Sequence, residues 1–279
     1  MPLKLMYITN NPQVALIAEK YGVDRIWIDL ETLGKEERQK NINSVKSHHS
    51  ISDIKNIAPL LSTAEMLVRV NPWNENSEEE IYRVINSGAR LVMLPMWKTV
   101  GEVEKFIRAV GCRAKTVLLL ETKEAVSCLD DVLKIKGIDE IHIGLNDLHL
   151  SYGLTFMFEL LTDGTVESIC KKIKQAGILY GFGGIAKIGQ GLLPAEKIIL
   201  EHYRLGSTRA ILSRSFCNTE LTETIEEVES TFKENMKKLR DFENIADKAA
   251  LHELEENRKA VQDCVNTIVE NIRTGNRNG

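Results

Sequence analysis

The chain of 279 residues reads as an α/β protein of the (β/α)₈ barrel class with a long C-terminal helical extension. Three observations predict this: eight short apolar runs, helix-start signals in the segments between them, and a strand-free charged stretch beginning near Cys217. The runs occupy residues 5–8, 25–29, 66–70, 90–94, 116–120, 139–143, 178–182 and 208–212. Their apolar residues sit on consecutive rather than alternating positions, the pattern of strands covered on both faces in a parallel sheet. Eight β-then-α units in about 215 residues match the count and scale of a closed barrel.

Taken in order, the first helix starts at Asn11-Pro12, a cap and a pre-set first position ahead of residues 14–20. Ser77 followed by Glu78, Glu79 and Glu80 opens another, with acids placed where a helix dipole favours them. Lys98-Thr99 opens the helix after the fourth run, which is a simpler reading of Lys98 than a Schiff-base lysine. A doubly wound open sheet is the competing fold. Its glycine fingerprint is represented only by Gly181-Phe182-Gly183-Gly184, which lacks GxGxxG spacing and comes too late for a first βα turn. These glycines read either as a backbone approach to an anion or as a tight turn with close helix packing.

The barrel is assigned to residues 1–216 and the tail to 217–279. In the tail, Leu221, Ile225, Val228 and Phe232, then Leu251, Leu254, Val261, Val265, Ile268 and Ile272, recur at helical spacing, interrupted by Arg258. Such a stripe requires a partner surface. Beyond a barrel-closing helix it is either an oligomerisation or docking arm or a helix folded back on its own barrel. The last residues, from Thr274, are expected to be disordered.

A formal charge of -4, from 36 basic and 40 acidic residues, argues against nucleic acid or an anionic membrane as a partner and for a small-molecule ligand. The five cysteines are scattered without a CxxC pair, so reduced thiols are expected rather than disulfides or a zinc site. With no signal-like N-terminus and no apolar stretch of about 20 residues, a cytoplasmic location is expected.

A barrel carries its chemistry at the C-terminal strand ends. There the third run gives Arg69 and Asn71, the fifth Glu121, and the sixth Gly144, Asn146 and Asp147. Glu121 and Asp147 leave adjacent parallel strands spaced about 4.8 Å. Two such carboxylates can share one octahedral Mg²⁺ or Mn²⁺; alternatively each is a solvated strand end or half of a salt bridge. Arg69 lies inside an apolar run, where its charge must meet an anion, a metal-bound oxygen, or Asp29 or Glu31 in a buried ion pair.

Five blocks together resemble the successive motifs of the HpcH/HpaI aldolase and citrate lyase beta subunit family. They are Asp29-Leu30-Glu31, Val68-Arg69-Val70-Asn71-Pro72, the segment from Gly88 to Met96, Leu120-Glu121-Thr122, and the segment from Gly137 to Leu148 continuing to Gly153. They follow in the family's order, at similar spacing, over residues 1–215. The resemblance implies a phosphoenolpyruvate/pyruvate-type barrel, a carbon–carbon lyase in which Glu121 and Asp147 hold Mg²⁺ or Mn²⁺ and Arg69 meets the keto oxygen and developing enolate of a 2-oxo acid or hydroxy acid. It implies backbone amides around Asn146 and Asp147 as receivers of the substrate carboxylate, Gly144 and Asn146 within the binding set, and Asp29 and Glu31 in support. It also implies a homo-oligomer, because the family often exchanges the helix after the barrel.

Two departures bear on the chemistry. The aldolase branch has a histidine after its Asp-x-Glu and the citrate lyase branch an aspartate, whereas this chain has Thr32. Leu119 stands where aldolases often have glutamine. His48 or His49, after the polar segment 33–47, is the expected replacement for the missing proton-transfer group, since a neutral imidazole titrates near pH 6.5. Both also read as surface residues; His142 reads as a satisfied barrel histidine, and His149 as a weaker candidate. A citrate-lyase-like enzyme cleaving an acyl thioester, and a barrel that has lost its base and serves as a scaffold, are the alternatives.

Overall fold

The computed structural model describes residues 1–34, 49–218 and 224–275. These residues form a closed parallel barrel in chain order: β1 (Lys4–Ile8), β2 (Arg25–Asp29), β3 (Glu65–Arg69), β4 (Leu91–Leu94), β5 (Lys115–Leu120), β6 (Glu140–Ile143), β7 (Leu179–Ile185) and β8 (Arg209–Leu212). All eight expected strands are present, and most boundaries differ from the sequence reading by a single residue. The exception is β7, which extends through Ile185, so the glycines lie within a strand and its bulge rather than after it. At Gly181 a Cβ would stand 2.2 Å from the Arg209 carbonyl oxygen, and at Gly183, with φ +55°, one would stand 2.9 Å from Leu145. Close packing therefore accounts for both positions.

The helices on the outer wall begin where local chemistry caps them. Asn11 accepts from the Gln13 and Val14 amides at the start of α1 (Pro12–Lys20). Next come α2 (Ile51–Ile57) and α3 (Ser77–Asn86). Thr99 and Glu102 form a reciprocal capping box on α4 (Val100–Val110), which also engages the Lys98 amide. Short helices α5 (Lys123–Ser127) and α6 (Leu129–Val132) follow β5, and α7 (Leu145–Ser151), α8 (Glu159–Thr162) and α9 (Thr165–Gln175) follow β6. After β7 comes α10 (Ala195–Leu205), and after β8 come α11 (Ile225–Ala246) and α12 (Leu251–Gly275).

Inside the barrel, strand register and closure bring inward residues of alternate strands together in layers of four. Arg25, Leu91, Glu140 and Arg209 form the lowest layer; Met6, Leu67, Val117 and Gly181 the second; Trp27, Met93, His142 and Ile211 the third. Contacts agree with this placement. Arg25 grips Glu140 through two bonds of 2.6 Å, and Arg209 Nε lies 3.0 Å from the same carboxylate. The apolar members form a lumen cluster separate from the larger core between strands and helices. Burial alone would raise the Glu140 pKa, but the two guanidiniums outweigh it and hold the carboxyl at about 2. Above the third layer come Ile8, Arg69 and Leu119, the floor of the barrel mouth.

The tail folds back on its own barrel. Phe232 of α11 meets Tyr7 edge-on, with ring centroids 5.0 Å apart, and Lys20 of α1 pairs with Glu229 at 2.5 Å. On α12, Leu254, Val261, Val265 and Val269 are buried, and the helix packs on α10 and α8. Asn257, rather than Arg258, interrupts the buried stripe, and its Nδ2 donates to Lys197 O and Glu201 Oε1 on α10, both at 3.1 Å. Leu251 is exposed and takes no part in the seam, while Leu221 lies outside the described residues. Of the end expected to be disordered, Thr274 and Gly275 are helical and residues 276–279 lie outside the described residues. Among the described residues no helix is long and apolar enough to cross a membrane.

Candidate active site at the C-terminal strand ends

The register between β2 and β3 sets Asp29 beside Arg69 at the top of the barrel. Arg69 donates from Nε to Asp29 Oδ1 at 2.9 Å and from Nη2 to Asp29 Oδ2 at 2.8 Å. Its Nη1 lies 3.1 Å from Glu31 Oε2. The buried ion pair anticipated for Arg69 thus involves both acids. Burial opposes its charge, but Asp29 and Glu31 outweigh that and raise the guanidinium pKa. Among the described residues these contacts occupy three of the five guanidinium N–H groups, leaving one on each Nη.

Across the mouth, Glu121 follows β5 and is buried. Its Oε1 accepts from the Met96 amide at 2.9 Å. Met96 has φ +53°, uncommon for a residue with a side chain, and this conformation directs the amide at the carboxylate. On the other side, a Cβ at Gly144 would stand 2.9 Å from Glu121 Oε2 and 3.0 Å from Glu121 Cβ. Gly144 is therefore required by space, since its φ of -82° suits any residue. The Glu121 pKa is raised well above the usual carboxylate range, first by burial and second by the negative charge of Asp147. Asp147 lies in the first turn of α7, half-buried, while Asn146 is exposed.

His49 reaches the same rim. Its Nδ1 accepts from the Asp29 amide at 3.0 Å, so the neutral ring carries its proton on Nε2. His48 lies outside the described residues. Thr32 is exposed, and its amide and hydroxyl both donate to Asn71 Oδ1, at 2.9 and 3.3 Å. The Leu33 amide adds a third donor to that oxygen, and Asn71 Nδ2 donates to Glu80 Oε1 on α3 at 2.8 Å. Asn71 therefore ties three elements together at the mouth, a role its sequence position did not signal.

His149 is buried, with Nδ1 3.2 Å from Leu145 O of its own helix, and does not join the site. His142 occupies the barrel lumen as expected, but among the described residues neither ring nitrogen has a hydrogen-bond partner of good geometry. Burial pushes its pKa down to about 4 against a weaker opposing effect of the Gly183 backbone, so the ring is neutral.

The site thus gathers Asp29, Glu31 and Glu121 around the Arg69 guanidinium, with Asp147 beside Glu121. Among the described residues no group of three or more His, Cys, Asp or Glu side chains is arranged to hold a metal ion. The Glu121–Asp147 pair nevertheless fits a hard divalent cation in donor type and charge, because it supplies carboxylate oxygens whose mutual repulsion a cation would relieve. A groove of about 710 Å³ on the outer wall, lined by Trp73, Tyr82, Lys105, Arg108 and Arg113 among others, contains none of these acids.

The fold defines the class, a closed parallel (β/α)₈ barrel, and sequence comparison gives its family. The family model for HpcH/HpaI aldolase/citrate lyase matches residues 4–181, and the chain belongs to that family. It is 26% identical to the hydroxypyruvate/pyruvate aldolase of Rhizorhabdus wittichii, a match covering 52% of this chain and 72% of that protein. The fold is similar to the HpcH/HpaI aldolase of Desulfitobacterium hafniense DCB-2, with TM-score 0.60, 13% identity, and coverage of 86% of this chain and 93% of the other. It is also similar to citrate synthase SbnG, with TM-score 0.57, 15% identity, and coverage of 86% and 94%.

Proposed function

We propose that this chain is a divalent-metal-dependent carbon–carbon lyase of the aldolase type, which cleaves or forms a 2-oxo acid through a pyruvate-type enolate. The observation that carries this reading is the pairing of Glu121 with Asp147 on the rim that presents Arg69. Glu121 and Asp147 would hold Mg²⁺ or Mn²⁺. When bound, the ion supplies Lewis-acid polarisation of the substrate's keto group.

In cleavage, the electron pair of the breaking bond passes toward the C2 oxygen. The two remaining N–H groups of Arg69 stabilise that charge, while Asp29 and Glu31 keep the guanidinium oriented, so little reorganisation accompanies charge development. The N-cap of α7 is Gly144, which has no side chain to occupy the first-turn amides, and Asn146 in that turn is exposed. The amides of the turn, around Asn146 and Asp147, are assigned to the substrate carboxylate. Proton transfer is assigned to the rim beside Asp29, where His49 enters; His48, outside the described residues, is kept as the alternative from the sequence. With Nδ1 engaged, His49 can donate from Nε2 or hold a water there; accepting a proton at Nε2 would require the other tautomer.

The test does not require the natural substrate. An enzyme that stabilises this enolate should form it from pyruvate, exchanging the methyl protons into deuterated water with Mg²⁺ or Mn²⁺. The Glu121→Gln and Asp147→Asn variants should lose exchange together with metal affinity, and Arg69→Ala should lose it with metal still bound. Proton NMR follows the methyl signal against a chelator control. A protein that binds metal yet shows no exchange would sink the aldolase reading and leave the acyl thioester lyase and scaffold alternatives.

A further inference from the structure

Building on the assignment of Arg69 to the enolate, we propose that Trp27 is a positioning residue for that arginine, setting the height and tilt of its guanidinium without touching substrate. Arg69 Cζ lies over the Trp27 ring, 5.4 Å from its centroid. Trp27 is in the third lumen layer with Met93, His142 and Ile211 and is only 2% exposed. Two residues further along β2 is Asp29, the acid that grips the guanidinium edge. One strand therefore holds the cation twice, by its edge and by its face.

The face contact matters because the edge contacts alone leave a degree of freedom. A guanidinium held along its edge by Asp29 and Glu31 can still tilt about that edge, and the negative charge of Glu121 also acts on it. The indole beneath blocks descent into the lumen and favours the orientation in which the planar cation covers the ring. Among the described residues Trp27 Nε1 has no hydrogen-bond partner, so the face, rather than the N–H, is the functional part of this side chain here.

A tryptophan that merely fills the lumen would be replaced equally well by any apolar residue of suitable size, whereas a platform needs an aromatic face. Trp27→Phe keeps a face, while Trp27→Leu and, as a second non-aromatic variant, Trp27→Met do not. In the full-length chain with Mn²⁺, the dissociation constant for oxalate, a planar dianion shaped like the enolate, should rise on the order of tenfold in Trp27→Leu or Trp27→Met. It should stay within about threefold of the parent in Trp27→Phe. In the Mg²⁺ form, the Arg69 Hε resonance should lie upfield in the parent and Trp27→Phe and move downfield in the non-aromatic variants.

Urea midpoints separate this from general destabilisation. Equal oxalate affinity in Phe and non-aromatic variants, or an Arg69 Hε resonance that never moves, would overturn the platform. If the parent itself fails to exchange pyruvate protons, the enolate reading falls, but the resonance still decides whether Trp27 orients Arg69.

Discussion

Replacing Gly144 by alanine tests the site by adding one methyl group. The backbone there has φ -82°, which alanine adopts freely, so the effect comes from space alone. The new Cβ would lie 2.9 Å from Glu121 Oε2, 3.0 Å from Glu121 Cβ and 3.3 Å from Leu119 Cδ1. Ordinary contact begins near 3.4 Å, so the carboxylate has to retreat by about half an ångström. Its other oxygen is held by the Met96 amide, and its surroundings are closed, so retreat strains a packed layer. Overpacking of this kind costs about 1–3 kcal/mol. In a chain of this size that lowers Tm by roughly 2–10 °C. Because the displaced atoms are the proposed metal oxygens, Mn²⁺ affinity should fall about 10- to 100-fold. Gly101 on α4 is the control: a Cβ there meets nothing within 4 Å, and Gly101→Ala should be neutral or stabilising by up to about 1 kcal/mol. Calorimetry gives Tm, and manganese electron resonance gives free ion. A Gly144→Ala protein with parental Tm and Mn²⁺ affinity would refute the reasoning that Gly144 exists to seat Glu121.

Three further outcomes are expected. Asparagine places Oδ1 where His49 has Nδ1, so His49→Asn should keep the bond to the Asp29 amide and hold turnover within roughly tenfold if the ring only positions; a loss of about 10² or more would assign it the proton. Glu140 has its pKa lowered to about 2 from 4.5, so its stabilisation is complete above pH 4.5 and lost as pH falls toward 2, an amount of about 3 kcal/mol. His142, held neutral to about pH 4, likewise loses stability as pH falls from 6.5 to 4, and urea midpoints that stay level across these windows would contradict both assignments. Ending the chain after Ala250 would expose the partners of four buried apolar α12 side chains, worth about 6–12 kcal/mol at 1.5–3 each, so circular dichroism should show unfolding or a steep fall in Tm. A folded, soluble truncation whose mass changes by light scattering would instead restore the docking arm.

The sequence alone favoured the barrel over the open sheet, because eight short runs with consecutive apolar residues, such as Ile26-Trp27-Ile28, alternate with helix signals and no GxGxxG follows the first. It also determined which rim to search, since Arg69, Glu121 and Asp147 stand where apolar runs end. Partnership was decided only by the tertiary structure. Asp29 and Arg69 are 40 positions apart, and the strand register that joins them is a property of the closed sheet. The tail stripe showed that α11 and α12 need a surface but could not choose between the chain's own barrel and another molecule, because both bury the same apolar side chains. Met96 gave no sign of its left-handed backbone, nor Gly144 of the carboxylate against it, since each depends on what a distant strand brings within 3 Å. Trp27 read as one more apolar residue of β2; the inward side of the pleat and the height of its layer made it the surface beneath Arg69.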